Sequence, residues 1–160
     1  MSPAAGPTPA VTTAARAGIE YEVHRYDHDP EAPSYGQEAA LALGLPVERV
    51  FKTLVVSVDD HFVVAVVPVS GELDLKALAK VLGGRRATMA HPSEAERATG
   101  YIIGGISPLG QKRKLPVVVD RTASSWSTIF VSAGRRGLEI ELAPADLVRL
   151  SGARLASVAR

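Results

Sequence analysis

The chain has 160 residues, 46% hydrophobic and 22% charged, and its 18 Lys plus Arg nearly balance 17 Asp plus Glu, for a net charge of +1. That composition excludes a mostly disordered chain, a coiled coil and a strongly basic, non-specific nucleic-acid binder. Cysteine is absent, which excludes a disulfide framework, a Cys-ligated metal and a protein thiol nucleophile, and fits a cytoplasmic setting.

Residues 1–7 are small and contain Pro and Gly, and predict a loose tail ahead of one domain over residues 8–160. No secretory signal is visible, and no apolar run is long enough to span a bilayer, so no membrane partner is expected. Thr8-Pro9 reads as an N-cap with Pro at the first helical position, and Gly18 as the end of that helix. Ile19, Tyr21 and Val23 alternate with Glu20, Glu22 and His24, the period of a half-buried strand. Ser34 and Gln37 form a capping-box pattern for a helix ended by Gly44, and Pro46 predicts a further helical turn through Val50.

Residues 51–58 and 62–69 are β-forming runs joined by Asp59-Asp60, the pattern of a hairpin of central strands covered on both faces. Asp74 caps a helix over residues 75–82, residues 86–89 read as a short strand, and His91-Pro92 opens a helix closed by Gly100. Residues 117–119 predict a buried strand. Residues 128–131 and 138–142 flank a wide turn over residues 132–137. A last helix (residues 144–150) and a last short strand (residues 153–158) follow. Helices and hairpins alternate without a βαβαβ run, which makes the fold class α+β with a mixed sheet.

Three features carry candidate chemistry. Lys52 lies in the apolar run Val50-Phe51-Lys52-Thr53-Leu54, where an ammonium must reach a cleft, a partner or the solvent at a sheet end. Gly100, Gly104, Gly105 and Gly110 fall within eleven residues, together with Ile106, Ser107 and Pro108. Glycines so dense mark close backbone approach, and exposed N–H groups in such a loop hold an oxyanion or a carbonyl, or merely make a tight connection. The loop matches neither a Walker A sequence nor a dinucleotide fingerprint.

Lys112, Arg113 and Lys114 follow the loop, and Arg85-Arg86 and Arg135-Arg136 are further basic pairs. Each suits either a phosphate backbone or a solvated turn. The four histidines, His24, His28, His61 and His91, form no metal motif, so no metal is expected. Ser132 has no nucleophile elbow around it; its hydroxyl positions a ligand or stabilises its turn.

These stretches resemble the YbaK/EbsC family, bacterial relatives of the editing domain inserted in prolyl-tRNA synthetases. The likeness rests on Thr8-Pro9-Ala10-Val11, His24-Arg25-Tyr26-Asp27-His28-Asp29, Phe51-Lys52-Thr53-Leu54, Leu73-Asp74-Leu75-Lys76, the glycine loop and the segment from Val131 to Leu138. Within the family the chain looks most like the free-standing Cys-tRNA(Pro) deacylase branch. The resemblance implies a mixed, largely antiparallel, barrel-like sheet flanked by helices. It places the family's essential lysine on Lys52 and its glycine loop on Gly104, Gly105, Ile106, Ser107 and Pro108. It places pocket residues on Tyr26, Phe51, Thr53, Ser132 and Glu139, the last where the family usually has Asp.

The implied reaction is cleavage of the ester between an amino acid and the 3′ end of tRNA, with no cofactor. In the family's scheme, the thiol of a cysteinyl substrate attacks its own carbonyl. The implied partners are the aminoacyl-tRNA acceptor end and prolyl-tRNA synthetase. Arg85, Arg86, Lys112, Arg113, Lys114, Arg135 and Arg136 are the candidate tRNA contacts, and a monomer is expected. Editing of another misacylated tRNA, such as Ala-tRNA(Pro), by activated water stays open. So do a non-catalytic tRNA or synthetase adaptor and a degenerate structural domain; Lys52 together with the glycine loop favours an enzyme.

Overall fold

The computed structural model describes residues 7–160, so all but Pro7 of the expected tail lies outside the described residues. Local capping chemistry sets the helices. In α1 (Pro9–Ala17) the Thr8 hydroxyl accepts from Val11 N–H, and Gly18 closes the helix at φ 69°. After β1 (Tyr21–Arg25), Ser34 caps α2 (Tyr35–Leu43) by accepting from Gln37 N–H. The expected turn at Pro46 is a single one, with Arg49 N–H donating to the Pro46 carbonyl. β2 (Phe51–Val58) and β3 (His61–Pro68) then pair antiparallel. The two residues between them, Asp59 and Asp60, sit at φ 48° and 68°, the left-handed pair that a tight hairpin needs.

The Asp74 carboxylate caps α3 (Leu75–Val81) by accepting from Ala77 N–H. β4 (Ala87–Met89), α4 (Pro92–Thr99) and β5 (Val117–Asp120) follow. A 3-10 helix at Arg121–Ser125, for which the sequence carries no clear signal, is capped by Asp120. β6 (Ile129–Arg135) and β7 (Leu138–Leu142) form the second hairpin, and α5 (Pro144–Ser151) leads to β8 (Arg154–Ala156).

The wide turn expected over residues 132–137 is narrower, because Ser132 through Arg135 stay in β6 and absorb a register shift there. Gly134 makes the shift possible at φ 105°, with a hypothetical Cβ 2.8 Å from the Tyr101 ring and 3.0 Å from Thr8. No larger residue fits that close approach.

The strands form two sheets. One has the order β4-β2-β3-β5-β8, the other β1-β7-β6. Pairing is antiparallel for β1–β7, β2–β3, β2–β4 and β6–β7, and parallel for β3–β5 and β5–β8. A parallel bridge between Val50 and Phe130 stitches the sheets together. The arrangement is the mixed, largely antiparallel α+β fold expected.

β2 and β3 bury both faces, which explains their continuous apolar sequence. Phe51, Val55, Val64 and Val66 enter one core with Ile129, Val131, Ile140 and Leu142. Val56, Val63, Ala65 and Val67 enter a second core under α3, with Leu78 and Val118.

Candidate active site

The site lies where the sheet is incomplete. β6 meets this region at the Val50–Phe130 bridge, and β4 joins β2 only from Val56, opposite Met89. Residues 51–55 lie between these two attachments. Val69 N–H donates to the Val50 carbonyl, so by alternation Lys52 and Leu54 bond to β3 while Phe51, Thr53 and Val55 aim their amide groups away from it. Ala90 N–H reaches the Val55 carbonyl at 3.1 Å. The Thr53 amide groups point into the gap.

A cavity of about 410 Å³ occupies this gap. Its floor is residues 51–55. Tyr26 and residues 33–36 close one side, Met89, Ala90, Pro92 and Ala95 another, and Ile103, Gly104, Ile106, Ser132 and Glu139 the rest. Tyr26, Phe51, Lys52, Thr53, Gly104, Ile106, Ser132 and Glu139, far apart in sequence, therefore converge. Gly105, Ser107 and Pro108 do not line the cavity; they are buried behind it. Gly105 N–H donates to the Ile102 carbonyl at 2.9 Å, so it is not a spare oxyanion donor. A Cβ on Gly105 would lie 2.9 Å from Arg135 Cα, which explains the glycine without a ligand. Ser107 Oγ accepts from Leu109 N–H at 3.2 Å, and its carbonyl accepts from the Gln111 side chain.

The cavity's polar groups are unusual. Lys52 is half-buried, and among the described residues no carboxylate lies within ion-pair distance of it. Glu139 is only 6% exposed, and burial pushes its carboxyl from 4.5 up to about 8. It is therefore neutral at pH 7 and offers a proton. Burial, and next the Glu139 charge, push the Tyr26 phenol up to about 12. Ser132 Oγ accepts from Gly134 N–H at 3.2 Å. Thr53 Oγ1, by contrast, is buried out of reach of solvent and has no hydrogen-bond partner, an arrangement that costs stability.

The mouth is held by residues to which the sequence pattern assigns no role or a different one. Arg136 Nε–H donates to the Ile103 carbonyl at 2.8 Å, and its guanidinium lies over the Tyr35 ring at 5.0 Å. Gly104 sits at φ 89°, and a Cβ there would lie 2.7 Å from that ring. The Glu38 carboxylate bonds His28 Nδ1 at 2.7 Å and Asp29 N–H at 2.6 Å, tying the segment after β1 to α2. The signal for Tyr35 is its place directly after the Ser34 cap, where a helix start exposes a side chain.

The basic candidates do not form one patch. Arg136 borders the mouth, and Arg135 is half-buried next to it. Arg85 and Arg86 donate their backbone N–H groups to Asp59, about 20 Å from Lys52 along β2. Lys112, Arg113 and Lys114 are exposed on the loop after Gly110. Outside the cavity, Glu22, His24 and Glu141 bring three metal-ligating atoms within 4.8 Å of one another. Glu141 there already bonds Arg49 at 3.2 Å and the Thr128 hydroxyl at 2.6 Å.

Residues 29–150 match the model of the aminoacyl-tRNA editing domain, a span that takes in Lys52, the glycine loop, Ser132 and Glu139 and stops short of Tyr26. The chain is 44% identical, over 123 residues, to the candidate Cys-tRNA(Pro)/Cys-tRNA(Cys) deacylase EbsC of Enterococcus faecalis, covering 76% of this chain and 75% of that one. It is 32% identical to the multifunctional Ser/Thr-tRNA deacylase ProXp-y of Escherichia coli K12, over 64% of this chain and 62% of the relative. A crystal structure of a candidate trans-editing enzyme for prolyl-tRNA synthetase superposes with a TM-score of 0.86 at 25% identity, covering 100% of this chain and 99% of that one. With residues 29–150 matching the family model and three quarters of its length aligned to a 44% identical relative, the chain belongs to the aminoacyl-tRNA editing domain family.

Proposed function

We propose that the chain is a trans-editing aminoacyl-tRNA deacylase that removes cysteine from Cys-tRNA(Pro). The observation that carries this reading is the cavity itself. An un-neutralised Lys52 and a neutral Glu139 line one space of about 410 Å³. The 44% identical relative, named for cysteine removal, supports the choice of amino acid.

In this reading Lys52 binds the developing negative charge of the ester carbonyl, where a cation in a desolvated site is most effective. No cysteine is present in the chain, so no protein thiol attacks, and in this reading the substrate's own thiol is the nucleophile. Its sulfur bonds to the carbonyl carbon, the carbon–oxygen bond to the terminal ribose breaks, and the ribose oxygen leaves as a hydroxyl. The proton lost by the thiol is matched by the one gained by the ribose. In this reading Glu139, as a carboxylic acid, gives its own proton to the leaving ribose oxygen and, as the resulting carboxylate, takes up the proton the thiol loses. The product is a four-membered thiolactone, which water opens. Residues 8–160 act as the deacylase domain, as a cytoplasmic monomer, with prolyl-tRNA synthetase helping to select the tRNA. Among the described residues no helix is long and apolar enough to cross a membrane.

Comparing Cys and Ser esters of the same tRNA tests the nucleophile. A hydroxyl ionises far less readily than a thiol near neutral pH, so the Ser ester should react at least tenfold more slowly. Equal rates would replace thiol attack with activated water, the second reading, which the E. coli Ser/Thr-tRNA deacylase favours. The proposed tRNA contacts give a separate expectation. Replacing Lys112, Arg113 and Lys114 by neutral residues should flatten the salt dependence of tRNA binding by about one unit of log–log slope for each phosphate no longer neutralised. An unchanged slope would remove these three from the interface.

A further inference from the structure

The polar groups of the cavity stand on two different sheets. Lys52 belongs to β2 in one, Ser132 and Glu139 to β6 and β7 in the other. Among the described residues the Val50–Phe130 bridge is the one backbone pairing between these sheets, made as Phe130 N–H donates to the Arg49 carbonyl at 3.1 Å. Lys52 follows two residues, about 7 Å, beyond this joint.

The Arg49 side chain braces the joint. Its Nε–H donates to the Thr128 carbonyl at 2.9 Å. One of its outer nitrogens donates to the Thr128 hydroxyl and, at 3.2 Å, to the Glu141 carboxylate. The Thr128 hydroxyl donates in turn to that carboxylate at 2.6 Å. The guanidinium also lies over the Phe130 ring at 5.0 Å and the Trp126 ring at 5.9 Å. Burial disfavours the Glu141 charge, but hydrogen bonds from Thr128 and His24 and the neighbouring Arg49 charge hold its carboxyl below the usual range. The pair with Arg49 is therefore ionic at pH 7. A planar fork bonded to two residues and flanked by two rings has little freedom left.

Glu139 and Glu141 are two residues apart on β7, so they share one face of the strand. The Arg49–Glu141 pair thus joins the two strands that carry Lys52 and Glu139, one step outside the cavity. Arg49 itself does not line that cavity.

We propose that Arg49 is a positioning residue for deacylation, bracing the two sheets so that Lys52 and Glu139 keep their working separation across the cavity. The inference rests on the deacylase reading. Misplacing reacting groups by about 1 Å costs on the order of 10²-fold in rate.

The test is a double-mutant cycle, read as the single-turnover rate at saturating Cys-tRNA(Pro). Arg49→Ala should slow the unmodified protein by about 10- to 100-fold, with the half-saturating tRNA concentration changed by less than about threefold. On a Lys52→Ala background the same substitution should cost less than about threefold, because the group it places is gone. Arg49→Lys keeps the charge but loses the planar fork, so it should recover only part of the rate, and its remaining defect should also vanish on the Lys52→Ala background. If Arg49→Ala does not fold, Arg49→Lys carries the cycle alone. Arg154→Ala, which cuts an arginine bond to the Val81 carbonyl at the edge strand β8, should leave the rate unchanged. A loss of the same factor on both backgrounds, or a folded Arg49→Ala with an unchanged rate, overturns the positioning role and leaves the deacylase reading standing. No deacylation of any ester by the unmodified protein overturns both.

Discussion

Lys52→Ala should cut single-turnover deacylation by roughly two orders of magnitude or more, the scale of losing a principal transition-state donor, while the protein stays folded. Lys52 lines the cavity, and among the described residues no carboxylate lies within ion-pair distance of it. Removing it therefore breaks no ion pair among the described residues. The melting temperature should hold. Lys52→Arg should also be impaired, because a planar fork does not reproduce a compact ammonium. A structural role for Lys52 predicts the opposite pair of results, a lowered melting temperature with near-normal turnover. Measuring both on one preparation decides the matter.

The second large effect belongs to Glu139. Its carboxyl is raised from 4.5 to about 8 in the folded protein. Between those values the folded state keeps a proton that the unfolded chain has released. Stability is then fully present below about pH 4.5 and is lost as pH rises toward 8, by a total on the order of 5 kcal/mol. The melting temperature should fall steadily over this window. Glu139→Gln keeps the shape without the titration, so it should flatten that fall and exceed the unmodified protein in stability at pH 8. If the carboxyl supplies the leaving-group proton, the same variant should lose about 10²-fold in single-turnover rate at pH 7. A melting temperature level from pH 5 to 8 would mean that the buried carboxyl is ionised and has found a partner.

Much of the fold was legible because it is local. The Thr8, Ser34 and Asp74 caps act within three residues of themselves, and the Asp59-Asp60 turn joins neighbouring strands. The parallel partners β3–β5 and β5–β8 were not legible, since nothing in residues 117–119 says which strand lies alongside. The site was half legible for the same reason. Lys52 stood out as a charge in an apolar run, and the glycines announced close approaches without saying to what. Gly104 faces the cavity and a tyrosine, whereas Gly105 lies against the backbone of Arg135. Tyr35 carried only the positional signal of following the Ser34 cap and Met89 none, because their importance comes from where the cavity opens.

The cavity is, in effect, an unfinished sheet. β4 pairs with β2 through three residues, from Met89 opposite Val56 to Ala87 opposite Val58. Soon after Met89 the chain reaches Pro92, the first residue of α4, and a proline cannot donate to a ladder. The helix start therefore acts as a ruler for the binding site. Were β4 to run three residues further before turning, it would lie across the edge that Thr53 leaves open. The gap would then shorten from one end with every proposed reactive group untouched. Substrate size in this architecture can thus be adjusted by sliding a proline along the chain, independently of the groups that perform the reaction.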